Sequence, residues 1–247
     1  AIDQATVTAL YNETTTTATY NYVDVDVYNS IAYYKMSNAT DQLGNYNGTP
    51  SNMGWEEGKF GFAGDFNGSD SIITTGLNTG NNNMTFSAWV NLSGASSGIY
   101  GMVISGISHY YTYLSVGQNG KVWISNDQQI AGDADNGYAT EGTTVLQVGT
   151  WYHIAGTLSS TEGAKIYVNG VLEKTQSART SNAPSTSNYS GIGAWKSSNG
   201  NISGQFNGKI DQIRMFNTVL NATQIDTLSK EVYCQPTAIV GTNFFNT

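Results

Sequence analysis

Short runs in which polar and apolar residues alternate cover most of the chain, and Gly, Asn and Ser separate them. Residues 84–92 read Met-Thr-Phe-Ser-Ala-Trp-Val-Asn-Leu, and residues 165–168 read Lys-Ile-Tyr-Val. A period of two places successive side chains on opposite faces of a strand, and β-branched and aromatic residues favour strands. With turn signals about every 8 to 12 residues, the pattern predicts an all-β sandwich or barrel.

Two pairs of these runs are joined by Asn-Gly, at Asn119-Gly120 and at Asn169-Gly170. Both residue types tolerate the positive φ that a two-residue hairpin turn requires. We therefore expect a tight hairpin at each place.

Two short segments have helical spacing instead. Residues 222–231 follow Asn221, a good N-cap, and carry the apolar series Leu220, Ile225 and Leu228. Residues 3–13 align with this segment so that Glu13 falls on Glu231. The similarity predicts a tandem repeat, although two short amphipathic segments can also agree by chance.

These segments divide the chain into three predicted parts. Residues 1–18 are interpreted as the end of a preceding repeat with a linker, 19–234 as one β-sandwich with a short C-terminal helix, and 235–247 as a linker to a following module. Cys234 is the single cysteine, so no internal disulfide can form. It is either a small apolar residue, a reactive thiol or half of an intermolecular bridge.

Composition narrows the classes of partner. Only 11% of residues are charged and the net charge is -8. The ten Lys and Arg residues are spread along the chain and form no basic patch, which argues against nucleic acid. No run of 18 apolar residues is present, so we expect no membrane insertion.

Five short motifs follow one another in a fixed order. They are G-K-F-G-F-A-G-D-F-N-G at 58–68, F-S-A-W-V at 86–90, W-Y-H-I-A at 151–155, I-Y-V-N-G at 166–170 and F-N-G-K-I-D-Q-I-R-M-F-N at 206–217. This series resembles the laminin-G-like branch of the concanavalin A-like lectin/glucanase superfamily. The resemblance implies a two-sheet antiparallel jelly roll of about 12 to 14 strands.

Catalysis is not expected from these residues. Glycan cleavage on this fold needs two carboxylates facing each other at about 5 to 9.5 Å. The chain has seven Glu, and none lies in the Glu-x-Asp-x-x-Glu strand of the superfamily's hydrolases. His153 belongs to a motif that the resemblance marks as structural, and we interpret it as a framework residue.

A calcium site is the chemistry that the resemblance favours, because many laminin-G-like domains hold one ion on the sandwich. Ca²⁺ takes six to eight oxygen ligands. The positions implied here are Asp65 in the first motif and Asp211 in the last. For Asp211, hydrogen bonding to backbone amides near a strand start is the alternative.

Sugar recognition is the second candidate chemistry. Aromatic rings stack on the C–H face of a sugar while polar groups bind its hydroxyls. The candidate carbohydrate-binding residues are Trp195, Tyr110, Tyr111, Tyr138 and His109. Of these, Trp195 is the strongest, because it follows Gly191-Ile192-Gly193-Ala194 and precedes a Ser/Asn/Gly loop.

The functional expectation is a non-enzymatic, lectin-like adhesion module of a multidomain protein, binding surface glycans outside a cytoplasm. Residues 241–247 are similar to the start of a further module in modular particle proteins of marine bacteriophages, which favours a virion surface. One alternative is a structural fibre or decoration domain that binds neighbouring protein chains or forms a homo-oligomer. A glycoside hydrolase is the other.

Overall fold

Strand pairing organises the described part of the chain into two large antiparallel sheets. The computed structural model describes residues 28–77, 83–95, 100–105, 112–126, 139–177, 190–196 and 200–231. The elements are β1 Ser30–Tyr34, β2 Thr49–Ser51, β3 Gly54–Glu57, β4 Phe62–Asn67, β5 Ile72–Thr75, β6 Met84–Leu92, β7 Tyr100–Ser105, β8 Thr112–Gly117, β9 Lys121–Asn126, β10 Ala139–Val145, β11 Trp151–Ser159, β12 Gly163–Val168, β13 Val171–Gln176, β14 Ser190–Ile192, β15 Trp195–Lys196, β16 Ile202–Ser203, β17 Asn207–Phe216 and α1 Ala222–Ser229.

The first sheet has eight strands in the order β13-β12-β11-β6-β17-β4-β3, with β1 also pairing with β17. The second has seven, in the order β10-β9-β8-β7-β14-β5-β2, and β15 pairs with β16 in a small hairpin. The predicted all-β, two-sheet antiparallel sandwich with a short helix near its C-terminus is confirmed. Fifteen described strands lie in the two large sheets, slightly more than the resemblance implies.

The apolar core lies between the sheets and follows the period of two. In β6, Phe86, Ala88 and Val90 are fully buried in this core, whereas Ser87 points to the opposite face. Gly156 in β11 gives Ile124 of the facing sheet room to pack, because a Cβ at position 156 would collide with that side chain. Burial of this interface supplies the main driving force for folding.

The two predicted hairpins differ in their turns. Asn169 and Gly170 both have positive φ, 50° and 80°, so they form the expected two-residue turn between β12 and β13. At the other hairpin only Gly120 has positive φ, at 73°, and its N–H donates to the Gly117 carbonyl at 2.9 Å. Because three residues separate β8 from β9, this turn is the three-residue kind that ends in a left-handed residue.

Strand β17 changes partner at a β-bulge. Its first half pairs with β4 through residues 207–210, and its second half pairs with β1 through residues 213–216. The register with β6 shifts between Asp211 and Arg214. Gln212 lies in this shift with φ of 49°, and its side chain accepts a hydrogen bond from the Tyr33 hydroxyl. A bulge of this kind bends a strand and re-aims its side chains.

Helix α1 covers part of the outer face of the eight-stranded sheet. Its N-cap Asn221 and Gln224 form a capping box, as the sequence led us to expect for Asn221. Ile225 and Leu228 pack with Leu220 against a cluster completed by Ala155, Tyr167 and Phe216. Residues 3–13 and Cys234 lie outside the described residues, so the repeat interpretation stays a prediction.

A buried ion pair fixes the chain directly after α1. The Glu231 carboxylate accepts two hydrogen bonds from the Arg214 guanidinium, at 2.6 and 2.8 Å. The Arg214 side chain is 2% exposed and that of Glu231 is 12% exposed. The guanidinium also lies 4.2 Å from the centre of the Tyr33 ring.

The open side of the sandwich between β10 and β13 is closed by Glu173. Its carboxylate accepts the backbone N–H groups of Thr143 and Thr144, at 2.8 and 3.2 Å, where the pairing of β10 with β9 is irregular. Thr140 donates a hydrogen bond to Gln176 at 2.8 Å on the same side. A side chain of the eight-stranded sheet thus accepts hydrogen bonds from backbone N–H groups of β10, the edge strand of the seven-stranded sheet.

None of the helices described here has the length and apolarity needed to cross a bilayer.

We predict that Glu231→Ala lowers the free energy of unfolding by about 3 kcal/mol, because it leaves the Arg214 guanidinium buried without its partner. Urea denaturation of the variant measures this loss. Lys230→Ala is the matched control, since it removes the exposed Lys230–Asp226 pair one residue earlier. That pair should contribute less than about 1 kcal/mol. Equal losses in the two variants would contradict a special role for the Arg214–Glu231 pair.

Candidate functional site

The motif residues meet on the outer face of the eight-stranded sheet. The strand register aligns His153, Trp89 and Asp211 across β11, β6 and β17. Trp89 is 7% exposed because the turn between β3 and β4 covers it. In that turn, the Lys59 ammonium lies 4.7 Å from the Trp89 ring centre and the Phe60 ring meets it edge-on at 5.7 Å. Four of the five motifs therefore supply parts of one covered cluster.

His153 is buried in this cluster in a neutral form. Its Nε2 lies 2.8 Å from the Ser87 hydroxyl, and its backbone N–H donates to the Asn169 side chain at 3.0 Å. Burial, and next the Arg214 charge, lower the pKa of His153 to about 3. Ser87 is also fully buried, so this Ser–His pair lies beneath the surface of the described structure.

Asp211 is buried beneath the β3–β4 turn. Its Oδ2 accepts the Phe60 N–H at 2.9 Å, and Oδ1 has no hydrogen-bond partner within the described structure. Gly58 permits this approach, since a Cβ there would lie 2.8 Å from Oδ2. Burial raises the pKa of the Asp211 carboxyl to about 7, although the backbone N–H groups around it act in the opposite direction.

Asp65 lies on the same face but beside a lysine. It is aligned with Lys209 in the register of β4 and β17, and the Lys209 ammonium bonds Glu56 at 2.9 Å. Burial, and next the Glu56 carboxylate, raise the pKa of Asp65, while Lys209 lowers it.

The calcium ion that Asp65 and Asp211 were predicted to share stays a prediction, and the structure gives the surroundings of both carboxylates. Lys209 places a positive charge next to Asp65, and one oxygen of Asp211 already accepts a backbone N–H. Ca²⁺ needs six to eight oxygens, and no group of three or more His, Cys, Asp or Glu that could hold a metal occurs among the described residues. The alternative interpretation, hydrogen bonding of a carboxylate to backbone amides, fits Asp211.

The outer face of the seven-stranded sheet carries a row of four aligned side chains. The register aligns Met102, Ser115, Trp123 and Glu141 across β7, β8, β9 and β10. We call these four residues the outer row. Ser115 is fully buried, and its hydroxyl has no hydrogen-bond partner among the described residues.

Trp195 lies in the β15–β16 hairpin that borders the outer row. Trp195 pairs with Ser203, and the Gly204 carbonyl accepts the Met102 N–H at 2.8 Å. Gly191 allows the hairpin to approach this face, because a Cβ there would collide with the Ala194 carbonyl. Trp195 is partly exposed, as a stacking residue must be.

The other predicted sugar-binding residues, His109, Tyr110, Tyr111 and Tyr138, lie outside the described residues and stay predictions. The described strands next to them, β8, β9 and β10, begin or end at the same end of the seven-stranded sheet. There Thr112 is paired with Asn126, and Ser125 with Ala139. Tyr113, on the outer face of β8, is only 5% exposed, so its ring is not presented to solvent.

The glutamates of the described region are mostly engaged in structural contacts. Besides Glu56, Glu173 and Glu231, Glu141 is paired with Lys121 and Glu162 with Lys165. Glu57 is exposed. These pairings give most of the Glu carboxylates a structural partner.

A family model described as the Concanavalin A-like lectin/glucanases superfamily matches residues 66–226, which is more than half of the chain. A search among curated proteins gives no match.

Several solved structures have a similar fold. Domain 4 of AbnA, a GH43 extracellular arabinanase from Geobacillus stearothermophilus solved with arabinotriose, matches 80% of this chain and 97% of its own, with 21% identity and a TM-score of 0.57. A Trypanosoma rangeli sialidase mutant matches 81% of this chain but 32% of its own, at 17% identity and a TM-score of 0.59. The receptor binding domain of botulinum neurotoxin type G matches 82% and 51%, at 19% identity and 0.56.

We predict that the stability of Asp211→Asn relative to the unchanged protein rises as pH increases from 5 to 8. The folded chain keeps Asp211 protonated up to pH about 7, whereas the unfolded chain loses this proton near pH 4. Stability contributed by this carboxyl therefore falls as pH rises through that window, and the Asn variant lacks the fall. We expect a change of about 1 to 3 kcal/mol in the difference between the two unfolding free energies.

Urea titrations at several pH values measure this difference. His153 has the opposite pH dependence, because its folded-state pKa is lowered to about 3, but it is present in both proteins and cancels. A difference that stays constant from pH 5 to 8 would show that Asp211 is not protonated in the folded protein.

The calcium prediction has its own measurement. If Asp65 and Asp211 share an ion, EDTA should lower the melting temperature by several degrees, and Asp211→Ala should abolish that difference. No effect of EDTA on the unchanged protein would retire the site.

Proposed function

This chain belongs to the concanavalin A-like lectin/glucanases superfamily, and from that premise we propose that it is a non-enzymatic glycan-recognition module. The observation that carries the proposal is the position of Trp195. Trp195 is a partly exposed tryptophan on a short hairpin, where it pairs with Ser203, so an aromatic surface lies next to a serine. Protein sites that bind sugars use this combination, because a sugar ring has an apolar C–H face and polar edges.

The likeness to Domain 4 of the arabinanase supports the ligand class. That domain was solved with arabinotriose, and the match covers nearly all of it. A single domain of this architecture and of similar length can therefore bind a glycan. The identity of 21% gives no residue correspondence, so the binding residues are argued from this chain alone.

The engagement of the glutamates supports a role without catalysis. A glycosidase needs a carboxylic acid and a second carboxylate that are both free to meet the glycosidic bond. In the described part of the chain, Glu56, Glu141, Glu162, Glu173 and Glu231 each contact a basic side chain or backbone N–H groups. A structural fibre or decoration domain is the alternative, in which the module contacts only other protein chains.

We predict that Trp195→Ala weakens binding to the glycans that the protein selects on a glycan array by at least tenfold, about 1.4 kcal/mol. Loss of the stacked ring is the physical reason. Trp195→Phe should restore most of the affinity because it keeps an aromatic face. Isothermal titration with the selected glycan measures the affinities, and thermal melting verifies that both variants remain folded.

Array silence over neutral and acidic glycans would exclude glycan recognition and would favour the structural alternative. Hydrolysis of a bound oligosaccharide would establish the enzymatic one. Unchanged affinity in Trp195→Ala would move the binding site away from the hairpin while leaving glycan recognition in place.

A further inference from the structure

A cavity of about 180 Å³ opens at one end of the sandwich, between the two sheets. Four separate segments line it: the residues that follow β6, the turn between β8 and β9, the residues around the end of β10, and the residues that lead into β17. Trp195 does not line this cavity, which is therefore distinct from the hairpin site.

The base of the cavity is apolar and rigid. It is formed by Leu92, Val116, Leu146 and Phe206, which are exposed by 7%, 1%, 4% and 1% and belong to the main core. An apolar cavity of about 150 Å³ is large enough to bind benzene. The cavity here can hold one ring of a sugar.

Backbone hydrogen bonds join the four lining segments to one another. Gly120 accepts the Leu146 N–H at 2.8 Å, and the Asn207 carbonyl accepts the Ser93 N–H at 3.0 Å. The Gly149 N–H donates to the Leu92 carbonyl at 2.9 Å. Because these bonds tie the walls together, the cavity is formed in advance, and binding requires little ordering of the chain.

The mouth of the cavity combines amides with exposed valines. Gln118, Asn119 and Asn207 provide the amides. Asn119 is oriented by two hydrogen bonds, since it accepts the Lys121 N–H at 3.1 Å and donates to Glu141 at 2.6 Å. Val145 and Val148 are 48% and 62% exposed at the same opening.

Charge limits the ligand further. The lining, which lies entirely within the described residues, contains no Lys, Arg, His, Asp or Glu. Placing an anionic group in such a cavity would remove it from water without a cationic partner, which is costly. Sialic acids, uronic acids and sulfated sugars are therefore disfavoured.

We propose that this cavity binds one neutral sugar residue, with the C–H face of the ring against the valines and the apolar base and its hydroxyls bonded to the amides. The inference rests on the proposed function for its ligand class, but it assigns a second site, separate from the Trp195 hairpin. A free neutral monosaccharide should therefore bind in this cavity without the rest of an oligosaccharide.

Backbone-amide NMR titration of the whole chain tests this assignment. The probes are L-arabinose, D-galactose, D-glucose, N-acetyl-D-glucosamine and arabinotriose, with N-acetylneuraminic acid as the charged probe. At least one neutral probe should shift the amides of Gly120, Leu146 and Asn207.

Val148→Asp and Gln118→Ala should each weaken this binding at least tenfold. Phe62→Asp is the matched control and should leave the affinity within twofold. Phe62 is 57% exposed at the start of β4, whereas the cavity residue Asn207 is aligned with Asn67 at the other end of that strand.

The outcomes separate the two assignments. Cavity shifts that persist in Trp195→Ala and disappear in Val148→Asp support the cavity site. Shifts confined to the hairpin, or a stronger response to N-acetylneuraminic acid than to every neutral probe, overturn the cavity site and leave glycan recognition standing. If no probe binds and the glycan array is also silent, both proposals fall together.

Discussion

The β-bulge at Gln212 is the constraint on which the eight-stranded sheet depends. At this point β17 leaves β4 and continues beside β1, while it stays paired with β6 on its other side. A non-glycine residue with φ of 49° is held there by the bond from Tyr33 and by the paired strands around it. Asp211 and Arg214 flank the bulge, so its geometry decides that one carboxylate meets the β3–β4 turn and that the guanidinium meets Glu231. The bulge thus positions the two segments that cover this face, the β3–β4 turn and the residues that follow α1.

Local sequence patterns were sufficient to predict the strand β6 and the start of helix α1. The alternation in residues 84–92 places Phe86, Ala88 and Val90 in the core as the pattern predicts, and Asn221 caps α1. Asn119-Gly120 did not form the predicted two-residue turn, because the hydrogen bond closes from Gly120 to Gly117 and adds one residue. Turn length depends on how the flanking strands pair, and the dipeptide alone does not define it.

The sites were harder to predict because they depend on which strands lie side by side in a sheet and in what register they pair. Asp65 and Asp211 lie on one face of the eight-stranded sheet, but the sequence does not reveal that Lys209 is aligned with Asp65 or that the Lys59–Phe60 turn closes over Asp211. The end cavity was missed for the same reason. Val116, Leu146 and Phe206 are distant in sequence, and only the stacking of two sheets brings them to one opening. Exposure of Trp195 could be predicted, because a Ser/Asn/Gly loop follows it, and the side chain is partly exposed.

The contact of Glu173 with β10 has a consequence for how such domains behave when many copies are held close together. An outermost strand with unused amide donors is a template to which another polypeptide can add, and this is a common beginning of aggregation. Here the donors of Thr143 and Thr144 are taken by a carboxylate from the same molecule, which also brings negative charge to the flank. Another chain approaching from this side therefore finds the N–H groups of Thr143 and Thr144 already occupied, which hinders strand addition at these two residues.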